Sequence, residues 1–456
     1  MNTEKLRKQL IEDGILKTKE EMNDVRIQHL KDRGIINPYS IMTSVRTQVA
    51  VFLEEQPIFY DKSKLFWKWN EEKHFYERVD ETQILLEISK AGKDTINSKS
   101  KAEIMEALKQ EGRKRIPLPF KKEWLQFKNE IINIKNGTRI KANEHYFCTN
   151  PIPWNIGKSF ETPIIDKIFE EWVGKEYKKT LYQIIAYCMI PDYPIHRIFC
   201  FIGSGLNGKS KFLELLRKFV GENNICSTEL DILLKSRFEI TKLHKKLVCM
   251  LGETNFNELS KTSILKRLTG GDTIGFEYKN KDAFDDYNYA KILISTNNLP
   301  TTTDKTIGFY RRWMIIDFPN SFNEKKDILN KIPNEEFENL AYRSIIELNN
   351  LLENREFHNE GSINERMKKF EEKSDPLGKF LKEFTTDSIE SYITKRDFSK
   401  KFHEWCVENR FRTYADNTLG RKMKELGYEQ TKKYADWLYD GKGGQIRVWD
   451  QIKWVE

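Results

Sequence analysis

One stretch of eight residues has the residue types and spacing needed to hold a nucleoside triphosphate. Residues 203–210 read Gly-Ser-Gly-Leu-Asn-Gly-Lys-Ser and fit the pattern G-x-x-x-x-G-K-[ST] at every position. Glycines let backbone N–H groups curl around phosphates, and a helix that begins there adds positive potential. In such a loop Lys209 bridges the β and γ phosphates and Ser210 binds Mg²⁺. The candidate nucleotide-binding residues are Gly203, Ser204, Gly205, Leu206, Asn207, Gly208, Lys209 and Ser210.

The predicted elements around this loop are those that the pattern requires. An apolar strand is predicted over residues 197–202, and an amphipathic helix is predicted after the loop, with Gly221 as its C-terminal cap. Gly-Lys-Ser also occurs at 157–159, but Ile152 stands where the pattern needs glycine, and no strand precedes it. We interpret 157–159 as a surface turn.

Two further apolar strands are predicted to end in polar residues that could act on a bound nucleotide. Glu253 follows residues 246–251, and a carboxylate there could orient the attacking water or complete the Mg²⁺ shell. Asn297 follows residues 291–295 and could hydrogen-bond the γ-phosphate or the water, since ligands of such sheets lie at the carboxyl edge. The alternatives are a solvated acid after a core strand and an asparagine-rich turn.

Two adjacent arginines, Arg311 and Arg312, precede a fourth apolar strand predicted over 313–318. In ring-forming ATPases an arginine of one subunit reaches the γ-phosphate held by its neighbour and stabilises the charge of the transition state. The alternative is a solvated basic pair at the start of a strand.

The order of the predicted elements indicates the fold class. In the middle of the chain four apolar strands alternate with helices, which is typical of an α/β protein with a parallel sheet covered on both faces. Before this region, hairpins are predicted over 65–69 with 74–78 and over 131–135 with 138–142, followed by a helical segment at 163–189. Helices dominate residues 334–384, and Asp375-Pro376 is a candidate hinge.

Composition sets broad limits. The 456 residues carry a net charge of +8, with 77 Lys and Arg against 69 Asp and Glu, which suits contact with a polyanion over part of the surface without requiring it. The six cysteines form no C-x-x-C pair, which argues against a zinc site and for a reducing compartment. Neither a signal peptide nor a membrane span is indicated, so we expect a cytoplasmic protein.

Five segments in order carry a resemblance to a known family. They are GSGLNGKS, KLVCMLGE, LKRLTGGDTIGFEYKNK, ILISTNNLP and YRRWMIIDFP. Over about residues 125–320 the chain resembles the helicase portion of the phage/plasmid primase-helicase family, which belongs to superfamily 3 and has poxvirus-type relatives. The resemblance implies a hexameric ring that uses ATP and Mg²⁺ to move along single-stranded DNA and to unwind forked DNA in replication of a phage, plasmid or other mobile element. It supports Lys209, Ser210, Glu253 and Asn297 as nucleotide-site residues and Arg312 or Arg311 as the arginine finger.

The predicted elements and the resemblance together give a domain plan. An α+β region of unknown role covers 1–120, a collar region 121–190, an AAA+-like P-loop ATPase core 191–322, a helical extension 323–375 and a winged helix 376–456. Within residues 269–284 the family has a hairpin that projects into the ring channel. Lys279 and Lys281 fall at or near its tip and could each neutralise a phosphate, while Tyr278 or Phe284 could stack on a base. The alternative is an exposed charged hairpin.

The C-terminal residues have the spacing of a winged helix. Segments 398–406 and 419–426 would be its second and recognition helices, and the glycine-rich turn 441–444 its wing. Asn417 is the predicted N-cap of a helix whose Arg421, Lys422 and Lys424 could lie on phosphates, with Lys442 at the wing tip. Because positive and negative residues are nearly balanced here, a protein-docking module is the alternative.

Two features depart from the family. Many of its members have two adjacent acids after the strand at 246–251, whereas here Gly252 precedes Glu253. Residues 1–150 contain no D-x-D pair and no cysteine cluster, so primer synthesis is expected to be absent or supplied by a separate primase or polymerase. The competing hypotheses are an initiator-loader or DNA-packaging motor that does not unwind, and a signalling ATPase whose ring is a scaffold.

Overall fold

The structure is a computed structural model that describes residues 45–92, 98–203, 205–252, 258–259, 261–279, 281–322, 327–409, 411, 413–435 and 443–455. The described residues fall into two compact units, one within Met1–Phe120 and Ala142–Thr149, the other within Lys121–Lys141 and Asn150–Glu456. The sequence-based assignments to Ser204, Glu253 and Lys442 lie outside the described residues.

The helices and strands are as follows in chain order. The α-helices are α1 (Val45–Glu55), α2 (Glu81–Gly92), α3 (Ser98–Gly112), α4 (Pro163–Tyr187), α5 (Lys209–Val220), α6 (Leu230–Lys235), α7 (Arg237–Ile240), α8 (Thr262–Leu268), α9 (Ile307–Tyr310), α10 (Asn334–Asn354), α11 (Ile363–Ser374), α12 (Pro376–Phe384), α13 (Lys395–Glu408) and α14 (Asp416–Glu425). The strands are β1 (Ile58–Tyr60), β2 (Phe66–Asn70), β3 (Phe75–Val79), β4 (Leu118–Pro119), β5 (Trp124–Gln126), β6 (Glu130–Asn133), β7 (Arg139–Lys141), β8 (Tyr146–Phe147), β9 (Ile198–Ile202), β10 (Ile225–Thr228), β11 (Val248–Leu251), β12 (Glu258–Leu259), β13 (Thr273–Phe276), β14 (Phe284–Tyr287), β15 (Lys291–Thr296), β16 (Thr301–Thr302), β17 (Trp313–Asp317), β18 (Thr385–Thr394), β19 (Gln430–Ala435) and β20 (Gly444–Trp454).

The first unit is built on a small antiparallel sheet of order β1-β2-β3. Its β2–β3 hairpin confirms the one predicted from sequence, with each strand starting one residue later. The sheet shares an apolar core with α1 and α3, in which Leu53, Phe66 and Leu108 are buried. Strands β4 and β8 pair in parallel within the same unit.

The second unit contains a parallel five-stranded sheet of order β10-β11-β15-β9-β17. The four strands predicted for the middle region are present, because largely apolar runs become strands that are buried on both faces. Every residue of β9, β11 and β15 is buried. The fifth strand, β10, was not predicted. Only its first two residues are buried, so its sequence lacks the continuous apolar run.

Side chains alternate between two cores, one on each face of the sheet. Phe199 and Phe201 of β9 point into the core that contains α4, α5 and α10. Ile198, Cys200 and Ile202 point into the opposite core, with α6, α8 and α11. The helix predicted over 163–189 is observed as α4, with one break at Gly174, where φ is 75° and ψ is 171°. The hairpin predicted around Asn136-Gly137 is formed by β6 and β7.

The C-terminal module, residues 376–455, combines α12, α13 and α14 with an antiparallel sheet of order β18-β20-β19. Phe380, Phe398, Phe402 and Trp449 form its core. The long strand β18 was not predicted, since its sequence is mostly polar and exposed. Asn417 is not the N-cap of α14, because the helix already begins at Asp416 and its capping position is Ala415.

Two further observations concern the described residues as a whole. No helix among them has the length and apolar character needed to cross a membrane. All six cysteines lie among them and are buried thiols.

Candidate nucleotide-binding site

The loop between β9 and α5 has the backbone shape that its glycines permit. Gly205 and Gly208 have φ values of 116° and 93°, in the region where side chains are strained, and Leu206 between them has a φ of 46°. A Cβ atom at Gly208 would lie 2.5 Å from the ring of Trp172. A Cβ atom at Gly203 would overlap the side chain of Asn207. Glycine is therefore required at 208 for conformation and at both positions for space.

Lys209, the first residue of α5, is only 5% exposed, and its ammonium group points back into the loop. Its Nζ donates to the carbonyl oxygen of Gly203 at 2.6 Å and to Oδ1 of Asn207 at 3.0 Å. A third oxygen, Oδ1 of Asn297, lies 3.5 Å away, at the limit of a hydrogen bond. The structure thus brings together the lysine and the asparagine that sequence placed at one site from two separate strands.

A cavity of about 660 Å³ opens beside this lysine at the carboxyl edge of the sheet. Four neighbouring strands contribute to it. Ser227 belongs to β10, Met250 to β11 and Ser295 to β15, while Gly205 follows β9. The other lining residues are Trp172, Leu206, Asn207, Gly208, Lys209, Ser210, Lys211, Leu213, Glu214, Arg217, Gly252, Phe322 and Ile328. The lining combines backbone of the loop, hydroxyl and charged groups, and apolar side chains, which is typical of a ligand site.

The acid predicted for this site follows directly on a residue that lines the cavity. Strand β11 ends at Leu251, and Gly252 borders the cavity. Glu253 comes next in the chain and lies outside the described residues, as does Ser204 of the loop. Their roles stay predictions.

The second Gly-Lys-Ser at 157–159 has a different setting. No helix begins there, and the backbone N–H of Gly157 donates to the carbonyl oxygen of Glu338 on α10 at 2.8 Å. A Cβ at Gly157 would lie 2.6 Å from the backbone of that helix. The glycine is used for close packing.

The two adjacent arginines differ in their surroundings. Arg312 is 8% exposed, and all three of its guanidinium nitrogens donate within the chain: Nε to Thr269 Oγ1 at 2.9 Å, Nη2 to the Lys266 carbonyl at 3.2 Å and Nη1 to the Gly308 carbonyl. Burial and the neighbouring positive charge of Arg311 lower the pKa of Arg312. These three contacts hold Arg312 against residues of its own chain.

Arg311 lies at the surface end of the same segment and is partly exposed. Its Nη2 is 3.4 Å from Nδ1 of His196. Burial, followed by the charge of Arg311, lowers the pKa of His196, which favours the neutral imidazole that can accept from the guanidinium.

The lysines predicted to contact DNA are on a hairpin. Strands β13 and β14 pair antiparallel, and the connecting segment 277–283 carries Lys279 and Lys281, both exposed. Tyr278 is turned inward. Its hydroxyl is 3.0 Å from His244 Nδ1, and its ring stacks on Phe284 with centroids 6.0 Å apart. The two aromatics predicted to stack on a base thus stack on each other.

One polar cluster not found by sequence reasoning holds the base of this hairpin. Asp286 on β14 lies 3.1 Å from His244 Nε2 and accepts from Lys245 Nζ at 2.8 Å. Burial by itself would raise the pKa of Asp286, but the hydrogen bond with His244 and the charge of Lys245 outweigh it and hold that pKa well below its usual range. Asp286 lies far from His244 and Lys245 in the chain, so no local sequence pattern predicts these contacts.

The basic residues predicted on α14 are placed in different ways. Arg421 is exposed and lies 3.8 Å from Glu425, and Lys424 is exposed. Lys422 packs over the ring of Tyr414, with Nζ 5.1 Å from its centroid.

Sequence reasoning missed further cations beside them. Lys395, at the start of α13, donates to Gln430 Oε1 at 3.1 Å. Burial, then the charges of Arg447 and Lys424, lower its pKa, while Asp416 opposes them. Arg447 lies opposite Lys432 in the β19–β20 register, and both are exposed. The alternation of Lys432 with Tyr434, which is 65% exposed, was the signal that could have revealed this surface.

Comparison with known proteins adds independent findings. A family described as "D5 N terminal like" matches residues 48–175, and a family of unknown function (DUF5906) matches residues 201–312. A protein of Acanthamoeba polyphaga mimivirus named "Putative helicase L207/L206" is 26% identical over 200 residues, which are 41% of this chain and 20% of that protein. The chain spans about a fifth of the length of this helicase relative.

Among solved structures, two of the apo NrS-1 C terminal region are similar to this chain. Both are 15% identical. One covers 89% of this chain and 99% of the other with a TM-score of 0.48, and the second covers 90% and 100% with a TM-score of 0.49.

Proposed function

We propose that this chain is an ATP-dependent DNA helicase of superfamily 3, which assembles as a homo-oligomeric ring and unwinds DNA during replication of a phage, plasmid or other mobile element. The observation that carries the proposal is the buried ammonium of Lys209, held by oxygens of Gly203, Asn207 and Asn297 beside a cavity at the carboxyl edge of a parallel sheet. A buried cation among neutral oxygens, facing a cavity, is suited to an anionic ligand.

The loop fits a triphosphate by shape as well as charge. Side chains are excluded at Gly203 and Gly208, which leaves backbone N–H groups at the start of α5 to face a phosphate. Ser210, the second residue of that helix, would hold Mg²⁺, which neutralises charge on the β and γ phosphates. Lys209 would exchange its contacts with Gly203 and Asn207 for phosphate oxygens.

The remaining nucleotide-site residues come from the neighbouring strands. Asn297 after β15 would bind the γ-phosphate or the attacking water, and Glu253 after β11 would orient that water. The chain leaves β9 toward β10 on one side and later leaves β15 toward β17 on the other. Ligands of open α/β sheets bind where such connections diverge, which supports an AAA+-like P-loop core here.

Hydrolysis would be completed by a neighbouring subunit. An arginine finger needs donors that are available outside its own chain. Arg312 uses all three guanidinium nitrogens within its subunit, whereas Arg311 is partly exposed and contacts His196. Within the proposal these contacts favour Arg311 as the finger and Arg312 as the residue that holds its segment in place.

DNA would be held at two surfaces. In the ring channel Lys279 and Lys281, exposed on the β13–β14 hairpin, would each neutralise a phosphate. At the C-terminal module, interpreted as a winged helix, Lys424, Lys395 and Arg447 would lie on the backbone of a duplex. Tyr278 would support the hairpin through His244.

The proposal is tested with purified protein, ATP and Mg²⁺. We expect ATP hydrolysis that is stimulated by single-stranded DNA and a ring that native mass spectrometry detects when nucleotide is added. Hydrolysis stimulated by DNA without displacement of a strand from a fork would instead indicate an initiator-loader or packaging motor. A monomer that hydrolyses no ATP with any DNA would refute the proposal.

A further inference from the structure

The segment that follows Asn297 is held by the C-terminal module. Asn298, the next residue, accepts a hydrogen bond at Oδ1 from Nζ of Lys379 on α12 at 2.8 Å. Its Nδ2 donates to the carbonyl oxygen of Asn409, at the end of α13, at 3.2 Å. One side chain next to the nucleotide site is therefore bound to two helices of a different module.

Lys379 is well suited to fix this contact. Besides Asn298 it donates to the carbonyl oxygen of Lys373 at 3.3 Å, and its ammonium lies 5.0 Å from the centre of the Phe411 ring. Burial, then the charge of Lys373, lowers the pKa of Lys379 to about 8, while Asp375 and Asp317 oppose the shift. Hydrogen bonds from such a partly desolvated cation are stronger than neutral ones, and leaving its acceptors unpaired is costly.

The contact between Lys379 and Asn298 lies one residue from Asn297, which belongs to the proposed nucleotide site. Asn297 Oδ1 is 3.5 Å from Lys209 Nζ, and Asn297 and Asn298 share a peptide bond. Thr296 Oγ1 donates to the Asn298 carbonyl at 2.7 Å, which makes the turn compact. Because one planar peptide unit joins Asn297 to Asn298, we expect a displacement of Asn298 to be passed on to Asn297.

The junction between core and module also contains an open space. A cavity of about 400 Å³ lies there, with Thr301 and Lys305 of the core facing Tyr414 and Lys422 of the module. Within the described part of the chain the buried hydroxyl of Tyr414 has no hydrogen-bond partner. The hydrogen bonds of Asn298 therefore connect core and module at a junction that also contains a cavity.

We infer that Lys379 is a positioning residue for ATP hydrolysis: through Asn298 it sets the place of Asn297, and so the C-terminal module tunes turnover at the nucleotide site. The inference rests on the proposed function. It gives the module a role in the chemistry besides contact with DNA.

The test compares three variants of the full chain. Lys379→Met removes the donor, Lys379→Arg keeps a cationic donor, and Lys382→Met changes an exposed lysine three residues further along α12. We expect Lys379→Met to lower kcat for ATP hydrolysis about tenfold while the nucleotide Kd changes little, since the contact bears on Asn297 rather than on the phosphate loop. Lys379→Arg should recover part of kcat, and Lys382→Met should match the wild type.

A second variant keeps the test decisive if Lys379→Met folds poorly. Asn298→Ala removes the acceptor, and Lys379→Met added to it should lower kcat no further, because the two residues act through one contact. Independent, additive effects on kcat would overturn the inference.

Lys209→Ala is measured in parallel. If that variant is inactive while Lys379→Met and Asn298→Ala turn over like the wild type, the inference fails and the proposed function stands. If Lys209→Ala is as active as the wild type, the proposed function fails.

Discussion

The ammonium of Lys209 lies 3.5 Å from the side-chain oxygen of Asn297, although 88 residues separate them in the chain. The sheet explains the approach. Lys209 follows β9 and Asn297 follows β15, and these strands are parallel neighbours with Thr296 paired to Ile202. Both strands therefore end at the same edge, where a ligand contacting one residue is within reach of the other.

The phosphate loop gives the first prediction. Lys209→Ala should reduce ATP hydrolysis about 100-fold or more, because it removes the buried ammonium that would contact the β and γ phosphates. Lys158→Ala is the matched control, since it alters the other Gly-Lys-Ser, where no helix begins. Steady-state phosphate release measures both. Equal loss in the two variants, or loss in neither, would contradict the assignment.

The arginine pair gives the second prediction. Arg311→Ala should lower kcat roughly 1000-fold with nucleotide binding retained, as expected for a finger that acts on the transition state. Arg312→Ala should instead lower the free energy of unfolding by roughly 1–3 kcal/mol, because the Thr269, Gly308 and Lys266 oxygens lose their donor.

An experiment with mixed variants distinguishes an arginine that acts on the nucleotide of its own subunit from one that acts on the nucleotide of the neighbouring subunit. Arg311→Ala and Lys209→Ala subunits should each be inactive alone and should regain activity when mixed, since one supplies an intact loop and the other an intact arginine. Absence of any recovery in mixed rings, with ring formation verified, would count against Arg311 as a finger.

The hairpin gives the third prediction. Lys279→Ala together with Lys281→Ala should uncouple the motor: basal ATP hydrolysis persists, but stimulation by single-stranded DNA and strand displacement disappear because the hairpin no longer binds phosphates. Lys175→Ala, which removes a lysine whose side chain is 86% exposed on α4, is the control. Wild-type displacement by the double variant would remove the hairpin from the DNA path.

The C-terminal surface gives the fourth prediction. If Lys424 and Arg447 lie on phosphates, their replacement by alanine should weaken duplex binding and lower the slope of log K against log salt by about 1 for each phosphate that is no longer neutralised. Fluorescence anisotropy between low and moderate salt measures the slope. An unchanged slope, with folding confirmed, would favour a protein-docking role for the module.

A buried lysine gives the fifth prediction, which concerns pH. Lys291 is 0% exposed, donates to the carbonyl oxygens of Ile190 and Asp192, and lies over the rings of Tyr187 and Tyr193. Burial lowers the pKa of Lys291 to about 7, against the weaker opposing influence of Cys188 and Asp192. Above this pKa the unfolded chain holds a proton that the folded chain has released, so stability rises with pH toward the ordinary lysine pKa and is lost as pH falls through about 7.

The dependence of the unfolding free energy on pH can be measured by urea unfolding between about pH 7 and pH 9. Lys291→Met should flatten the rise of unfolding free energy with pH by up to about 1.4 kcal/mol per pH unit relative to the wild type. Lys175→Met should keep the wild-type slope. Parallel curves for wild type and Lys291→Met would show that the buried amine does not titrate in this range.

Much of the sheet and part of the site could be predicted from sequence, for identifiable reasons. Strand β9 is apolar throughout and β15 is apolar from Ile292 to Ile294, because both faces of each strand are buried, so their type and approximate bounds are local properties. The phosphate loop is equally local, since eight consecutive residues define it. β10 escaped prediction because it has only two fully buried residues.

Contacts between distant segments could not be predicted in this way. The residues around Arg312 in the sequence do not predict its contact with Thr269, and those around Tyr278 do not predict its contact with His244. These contacts nevertheless decide which side chains are available to a ligand. The link from Asn298 to Lys379 spans 81 residues and two modules. Contacts of this kind can be assigned only from the three-dimensional structure. The proposed roles of Ser204, Glu253 and Lys442 rest on the sequence alone.

Displacement of a labelled strand from forked DNA is the most direct test of the central claim that a nucleotide at this sheet edge drives a DNA motor. The wild-type chain with ATP and Mg²⁺ should release the strand, whereas a non-hydrolysable ATP analogue or the Lys209→Ala variant should leave the fork intact. Release of the strand without ATP, or undiminished release by Lys209→Ala, would contradict the account.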